Sequence, residues 1–325
     1  MRDAPESRVV FFGTGEFAAS ILSALGAANE LMVVGVVTQP DRPSGRGQRV
    51  SETVVKRTAR ALDLPVFQPL RLKSSTFISA MEGLQPDYLI VADYGRILPR
   101  AILKVAKIAP INVHPSLLPR WRGASPIQRT LLAGETITGV TTICMSEEMD
   151  AGDILLQTDV PVDSDEDCGA LAQRLAEIGG DLAIRTARLL SIGEVQPTPQ
   201  FEEDATYAPP IRSDETILRW SEGPIRCRNQ VRAFSPKPGA FCCFNGRRIK
   251  ALDLQIGGSC EDGLPPGMIT AVTPDGVFVA AGSGIAILRR VLPAGGREME
   301  ASAWARGARI VRGLRFDPIT PEERG

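Results

Sequence analysis

Over its first 190 residues this chain alternates short apolar runs with stretches of helical period, and that alternation limits the possible folds more than any other feature. Strands are predicted over residues 9–12, 31–37, 66–67, 88–92, 110–113, 139–145 and 153–160. Helical spacing fills the gaps over 16–27, 54–62, 75–81, 125–133 and 170–190, and Pro99 is placed to open a further helix. Strands that alternate with crossover helices wind right-handedly into a Rossmann-like, doubly wound α/β parallel sheet. Such sheets bind ligands in the crevice beyond the carboxyl ends of their strands.

A chain of 325 residues is long for one domain and suits two. Residues 191–210 carry four prolines and no periodicity, which predicts an extended linker after a domain spanning 1–190. Over 211–325, strand-like runs at 239–244, 248–256, 267–272, 277–280 and 286–291 are separated by Gly, Pro, Asn and Asp. Five short strands with frequent turns predict a smaller OB-like β-barrel.

No apolar run approaches the length of a membrane span, and the charged N-terminus leads into a run too short for a secretory signal, so a cytoplasmic location is expected. The six cysteines form no C-x-x-C pair and a single histidine exists to join them, so no metal site is expected. Net charge is −1 but unevenly spread: residues 1–210 hold 20 Lys/Arg against 26 Asp/Glu, and 211–325 hold 17 against 12. A second domain carrying +5 suits an anionic partner.

The first strand ends in GTGEFA, close to a dinucleotide fingerprint. The second ends Thr38-Gln39-Pro40, without the acidic residue that would hold a ribose, so small residues for a tight strand-to-helix turn are the better reading. Residues 38–52, TQPDRPSGRGQRVSE, predict a long mobile loop at the ligand-binding end of the sheet. Its arginines Arg42, Arg46 and Arg49 have the chemistry for phosphate contact, although a solvated linker has a similar composition.

The stretch INVHPSLLPRWR contains the only histidine, His114. Residues i and i+2 of a strand share a face, so Asn112 and His114 project together, and Pro115 ends the strand beside them. Asp150 follows in the turn MDAGD. An amide donor, an imidazole and a carboxylate suit acyl transfer to an amine: the first two can stabilise an oxyanion, and the carboxylate orients the ring and helps move protons. No protein nucleophile is required. Structural hydrogen bonding is the competing reading of these three residues.

INVHPSLLPRWRGASPIQ, MDAGDIL, FFGTGEFA, VVTQPDRPSGRGQ, VADYGRILP and ATYAPPI together resemble the 10-formyltetrahydrofolate-dependent formyltransferases over nearly the whole chain. The resemblance implies that Asn112, His114 and Asp150 are catalytic. It implies that Ser116, Leu117, Leu118 and Pro119 line the folate site, with Tyr94, Gly95, Ile97 and Leu98 near the pterin. The co-substrate would be 10-formyltetrahydrofolate, with no metal. The acceptor would be the α-amino group of initiator methionyl-tRNA, engaged by the Arg42 loop and the basic second domain of a monomeric enzyme. Ala151 departs from the threonine usual in that turn. On the residues alone the acceptor stays open: an amino-sugar nucleotide or water could use the same trio, and a catalytically idle tRNA-binding module is a rival of another class.

Overall fold

A computed structural model describes residues 7–44, 49–261 and 263–318. They form two compact units that do not follow chain order. The first takes the chain to residue 126 together with 137–161 and 172–208; the second takes 127–136, 162–171 and the chain from 209 onward.

The first unit is built on β1 (Ser7–Gly13), α1 (Glu16–Ala27), β2 (Leu31–Val37), the short pair β3 (Arg42–Ser44) and β4 (Arg49–Ser51), and α2 (Val54–Ala61). It continues through β5 (Val66–Phe67), α3 (Ser75–Gly83), β6 (Tyr88–Ala92), α4 (Arg100–Leu103), β7 (Ala109–His114) and β8 (Arg122–Gly123). While α5 (Pro126–Ala133), from residue 127, belongs to the second unit, the strands β9 (Ile137–Cys144) and β10 (Ile154–Pro161), the long helix α6 (Cys168–Ser191) from residue 172, and β11 (Tyr207–Ala208) complete the first.

The main sheet runs β10-β9-β7-β6-β1-β2-β5. Val9 to Phe12 and all of β6 are buried, which is why these central strands are apolar throughout rather than alternating. The sheet is parallel from β5 to β7, but β9 lies antiparallel to both β7 and β10. The expected all-parallel sheet is thus corrected to a mixed one. The run MSEEMDAGD is too short to hold the crossover that parallel neighbours need, so β9 and β10 form a hairpin.

Polar bonds tie α6 to the sheet: the Tyr88 hydroxyl donates to the Ala187 carbonyl at 2.9 Å, and the Thr142 and Thr186 hydroxyls pair at 2.9 Å. The helix also lies so close to α1 that a Cβ on Gly180 would sit 2.6 Å from that of Ala24, which accounts for a glycine in a helix interior.

The second unit holds α7 (Pro224–Phe234), β12 (Ala240–Phe244), β13 (Arg247–Ser259), β14 (Ile269–Thr273), β15 (Gly276–Ala281), β16 (Gly284–Pro293), β17 (Met299–Glu300) and α8 (Ala301–Gly307). Five strands form an antiparallel sheet in the order β12-β13-β16-β15-β14, and β17 adds to β16. Trp220 and Trp304 each stack on Phe316, with centroids 5.3 and 6.1 Å away. Among the described residues no helix is long and apolar enough to cross a membrane.

Residues 191–208 belong with the first unit. The composition predicts an extended linker; in the structure the segment carries a turn of 3-10 helix at Glu202–Asp204, and its backbone and side chains are bonded to the sheet and to two of its loops. Proline-rich composition reports the absence of a long helical period and says nothing of docking.

Candidate active site

The strand β7 delivers the site. Ile111 and Val113 are buried on one face, while Asn112 and His114 share the other. His114 is 4 % exposed. Its Nε2 lies 2.9 Å from the Trp121 carbonyl, which can only accept, so Nε2 carries a proton. Nδ1 faces Asp150 Oδ2 at 3.6 Å. With Nε2–H fixed, a second proton on Nδ1 turns this contact from lone pair against carboxylate into an ion pair.

Asp150 is the centre of the cluster. Its Oδ1 accepts from Asn112 Nδ2 at 3.1 Å, and its Oδ2 accepts from the Gly123 N–H at 2.9 Å. Its backbone is left-handed, with φ of 54°. The turn has no room to spare, since a Cβ at Gly152 would overlap the Cys144 carbonyl. Asp150, remote in sequence, thus converges on the Asn112–His114 pair, and a fourth residue, Gly123, joins through its backbone.

The segment after the strand is folded back on itself. The Ser116 hydroxyl donates to the Arg120 carbonyl at 2.7 Å. Thr141 Oγ1 donates to the Ser116 carbonyl at 2.7 Å and accepts from the Leu118 N–H at 3.2 Å. Gln157 donates to both the Leu118 carbonyl and Thr141 Oγ1. Ser116 and Leu118 are buried; Leu117 and Pro119 are half-buried, and the Leu118–Pro119 peptide is cis.

The segment that leaves β6 divides similarly. Tyr94 and Leu98 are buried in a core cluster that includes Phe12 and Val91, while Gly95 is exposed with φ of 72°. The Tyr94 carbonyl accepts from Thr14 and Gln39. Ile97 is 76 % exposed, unusual for so apolar a side chain. With Leu98, Pro99 and Ile78 it lines a cavity of about 590 Å³ that also bears Lys73, Arg100 and Glu147.

Arg42 lies exposed on β3, which pairs with β4 so that Arg42 stands opposite Ser51 and Ser44 opposite Arg49. Where described, the expected loop is therefore a two-stranded ribbon. Arg46 lies outside the described residues. Lys56 bonds Asp41 at 2.6 Å at the ribbon's base and holds that carboxyl below its ordinary range.

Sequence reasoning missed several participants. Trp121 and Gly123 act through backbone atoms, which leave no residue-type signal. Arg122 and Gln200 bond to each other although 78 residues apart in sequence, and Gln200 bonds the turn that holds Asp150. Asp93 stands at the end of β6 with φ of 42° and accepts from the Gly15 N–H. It is open to solvent on one side, but burial of its carboxyl on the other pushes its pKa up to about 6, with the Gly15 bond opposing the shift.

The chain matches the formyl transferase family over residues 7–187 and the formyl transferase C-terminal domain over 210–309. It is 40% identical to a methionyl-tRNA formyltransferase of Symbiobacterium thermophilum, over 98% of this chain and 97% of that one. It is 39% identical to one from Syntrophus aciditrophicus, over 94% and 97%. Among solved structures it shares its fold with an N-formyltransferase from Helicobacter canadensis bound to folinic acid and dTDP-3-aminofucose, with TM-score 0.62, 15% identity, and coverage of 90% of this chain and all of that one. It also resembles HypX from Aquifex aeolicus in complex with tetrahydrofolic acid, with TM-score 0.60, 18% identity and 97% coverage, although it spans about half of that longer protein. With a matched family spanning more than half its length and relatives of such identity end to end, the chain belongs to the formyl transferase family.

Proposed function

We propose that this protein transfers the formyl group of 10-formyltetrahydrofolate to the α-amino group of methionyl initiator tRNA, giving the N-formylmethionyl-tRNA used to start translation. The convergence of Asn112, His114 and Asp150 carries the reading of the site. The relatives' acceptor, shared at about 40% identity over nearly the whole chain, supports the choice of tRNA.

When an amine adds to a formyl carbon, the carbonyl oxygen gains negative charge and the nitrogen gains acidity. Asn112 spends one N–H on Asp150 and keeps the other to donate to that oxygen. His114, held by Trp121 on one side and Asp150 on the other, places a positive charge beside the same point. Asp150 sustains that charge and takes up the proton leaving the amine, directly or through water; collapse of the oxyanion then breaks the bond between the formyl carbon and the donor nitrogen, which takes that proton as tetrahydrofolate leaves. An amine next to an ester is less basic than a free one, so its neutral form is available near pH 7 and needs no strong base.

The residues around the crevice fit a folate. Exposed Ile97 with Leu98, Ile78 and Pro99 makes an apolar wall for a flat ring system, and Lys73 and Arg100 bring positive charge for its carboxylates. We assign Tyr94 and Gly95, together with Ser116, Leu117, Leu118 and Pro119, to the same folate site. The folate supplies the formyl carbon in activated form.

The Arg42 ribbon, with Arg46 and Arg49, engages the acceptor arm of the tRNA. The +5 balance of residues 211–325 supports a second contact along the nucleic acid. We assign residues 1–190 as the catalytic domain, 191–210 as the connection, and 211–325 as an OB-like tRNA-binding domain of a monomeric cytoplasmic enzyme.

The decisive experiment offers the formyl donor with charged initiator tRNA, with an amino-sugar nucleotide, or with no acceptor. Formylation of the tRNA alone is expected. Turnover with the sugar nucleotide, or hydrolysis without acceptor at a comparable rate, would overturn the assignment.

A further inference from the structure

Residues 198–208 form a strap over the reaction centre. At one end Thr198 and Ile154 exchange both backbone bonds, at 2.8 and 2.9 Å. At the other, the Arg122 N–H donates to the Thr206 carbonyl at 2.8 Å, the Trp121 N–H donates to Thr206 Oγ1 at 2.9 Å, and the Ser125 N–H donates to the Ala208 carbonyl at 3.1 Å. The strap therefore joins the two segments that make the site: the turn carrying Asp150, and the loop whose Trp121 carbonyl and Gly123 N–H hold His114 and Asp150.

Gln200 lies at the joint. Its Nε2 donates to the Asp150 carbonyl at 2.8 Å and to the Gly152 carbonyl at 2.7 Å, while its Oε1 accepts from Arg122 Nε at 3.0 Å. The amide orientation is unambiguous, because a guanidinium only donates and the two carbonyls only accept. Arg122 is 4 % exposed and also bonds Glu202 at 2.7 Å, whose other carboxylate oxygen accepts from the Tyr207 hydroxyl. A cation buried this deeply is held in place by its partners, so it fixes the side-chain amide it bonds.

The consequence falls on Asp150. Its left-handed φ is unfavourable for a residue with a Cβ, and such a conformation persists only where its surroundings impose it. Gln200 grips the carbonyl of Asp150 itself and that of the residue two further on. Those bonds orient the peptide planes on which the carboxylate's aim depends.

We propose that Gln200, with its amide oriented by Arg122, is a positioning residue that sets the direction of the Asp150 carboxylate toward Asn112 and His114. The proposal rests on the reading of Asp150 as catalytic, and its test separates the two.

The chain has one histidine, so the imidazole gives a single, unambiguous set of NMR signals in tag-free full-length protein. Gln200→Met keeps the size and removes the donors and the acceptor. Its single-turnover formyl-transfer rate should fall about 10–100-fold, the range common for residues that orient a reacting group. KM for both substrates should stay within about twofold of the parent. The His114 ring signals should move toward those of Asp150→Asn. Gln200→Glu keeps the Arg122 bond but sets an acceptor against the two carbonyls, so it covers the case in which Gln200→Met does not fold, and it should show the same losses. An unchanged rate, or a slowed rate with unmoved His114 signals, would overturn the proposal while a crippled Asp150→Asn left the catalytic reading standing. Parental turnover in Asp150→Asn would instead overturn that reading itself.

Discussion

Replacing Asp150 with asparagine removes one formal charge and almost no volume, so it isolates the electrostatic part of the site. The carboxylate lies 3.6 Å from His114 Nδ1, and the two side chains are 14% and 5% exposed. At an effective dielectric constant of about 20, two unit charges at that distance attract by about 4–5 kcal/mol. Partial exposure of the carboxylate and screening reduce this, and a transition state that needs the charged ring loses about 3–4 kcal/mol, or ~10²–10³ in kcat. The hydrogen bonds suffer too. Both carboxylate oxygens face donors, Asn112 Nδ2 and the Gly123 N–H, while an asparagine side chain offers one acceptor oxygen. One donor is left facing another at a cost of about 1–3 kcal/mol, which lowers Tm by several degrees unless Asn112 turns its amide over. That turn would swing the Asn112 oxygen toward the introduced amide nitrogen and take the free N–H away from the substrate. Single-turnover formylation at saturating donor and methionyl-tRNA reads the effect, with circular dichroism as a check on folding. A folded variant that turns over within about threefold of the parent would refute the electrostatic account.

Three further substitutions probe other parts of the structure. Gly152→Ala drives a Cβ into the Cys144 carbonyl and should cost about 1–3 kcal/mol of stability; a denaturant midpoint equal to the parent's would show that the turn is looser than described. The raised pKa of Asp93 means that its protonated form favours the native state, a contribution present below about 3.8 and lost as pH rises through about 6. Asp93→Asn, uncharged throughout, should therefore gain Tm relative to the parent between about pH 4 and pH 7, and a difference that stays flat across that interval would contradict the burial argument. Arg42→Ala should raise KM for the tRNA and flatten its salt dependence by a slope of about 1 while leaving kcat and folate KM alone; an unchanged tRNA KM would remove the ribbon from the interface.

The order of elements in the first unit was legible because each run of residues reports its own burial. The strand Tyr88–Ala92 is apolar at every position and is buried at every position. The pairing of Asn112 with His114 was legible for a similar reason, since strand geometry puts alternate residues on one face whatever lies elsewhere. The short run MSEEMDAGD marks β9 and β10 as a hairpin, but the direction of β9 against β7 was not legible. Nothing in the pattern of Ile137–Cys144 distinguishes parallel from antiparallel pairing with β7, because six successive positions are buried, on both faces, whichever way the strand runs.

What the sequence determined alone is local: which segments are strands, that an amide and an imidazole project together, and that a glycine-bearing turn carries the carboxylate. What only the tertiary structure decided is convergence. It brought Asp150 to His114, assigned the Trp121 carbonyl and Gly123 N–H to hold them, and folded the proline-rich stretch around Gln200 into a strap across both loops. Those contacts run between groups far apart in the chain and largely through backbone atoms that every residue shares. They leave no mark in residue type or period, and they exist only once burial has fixed the elements that carry them.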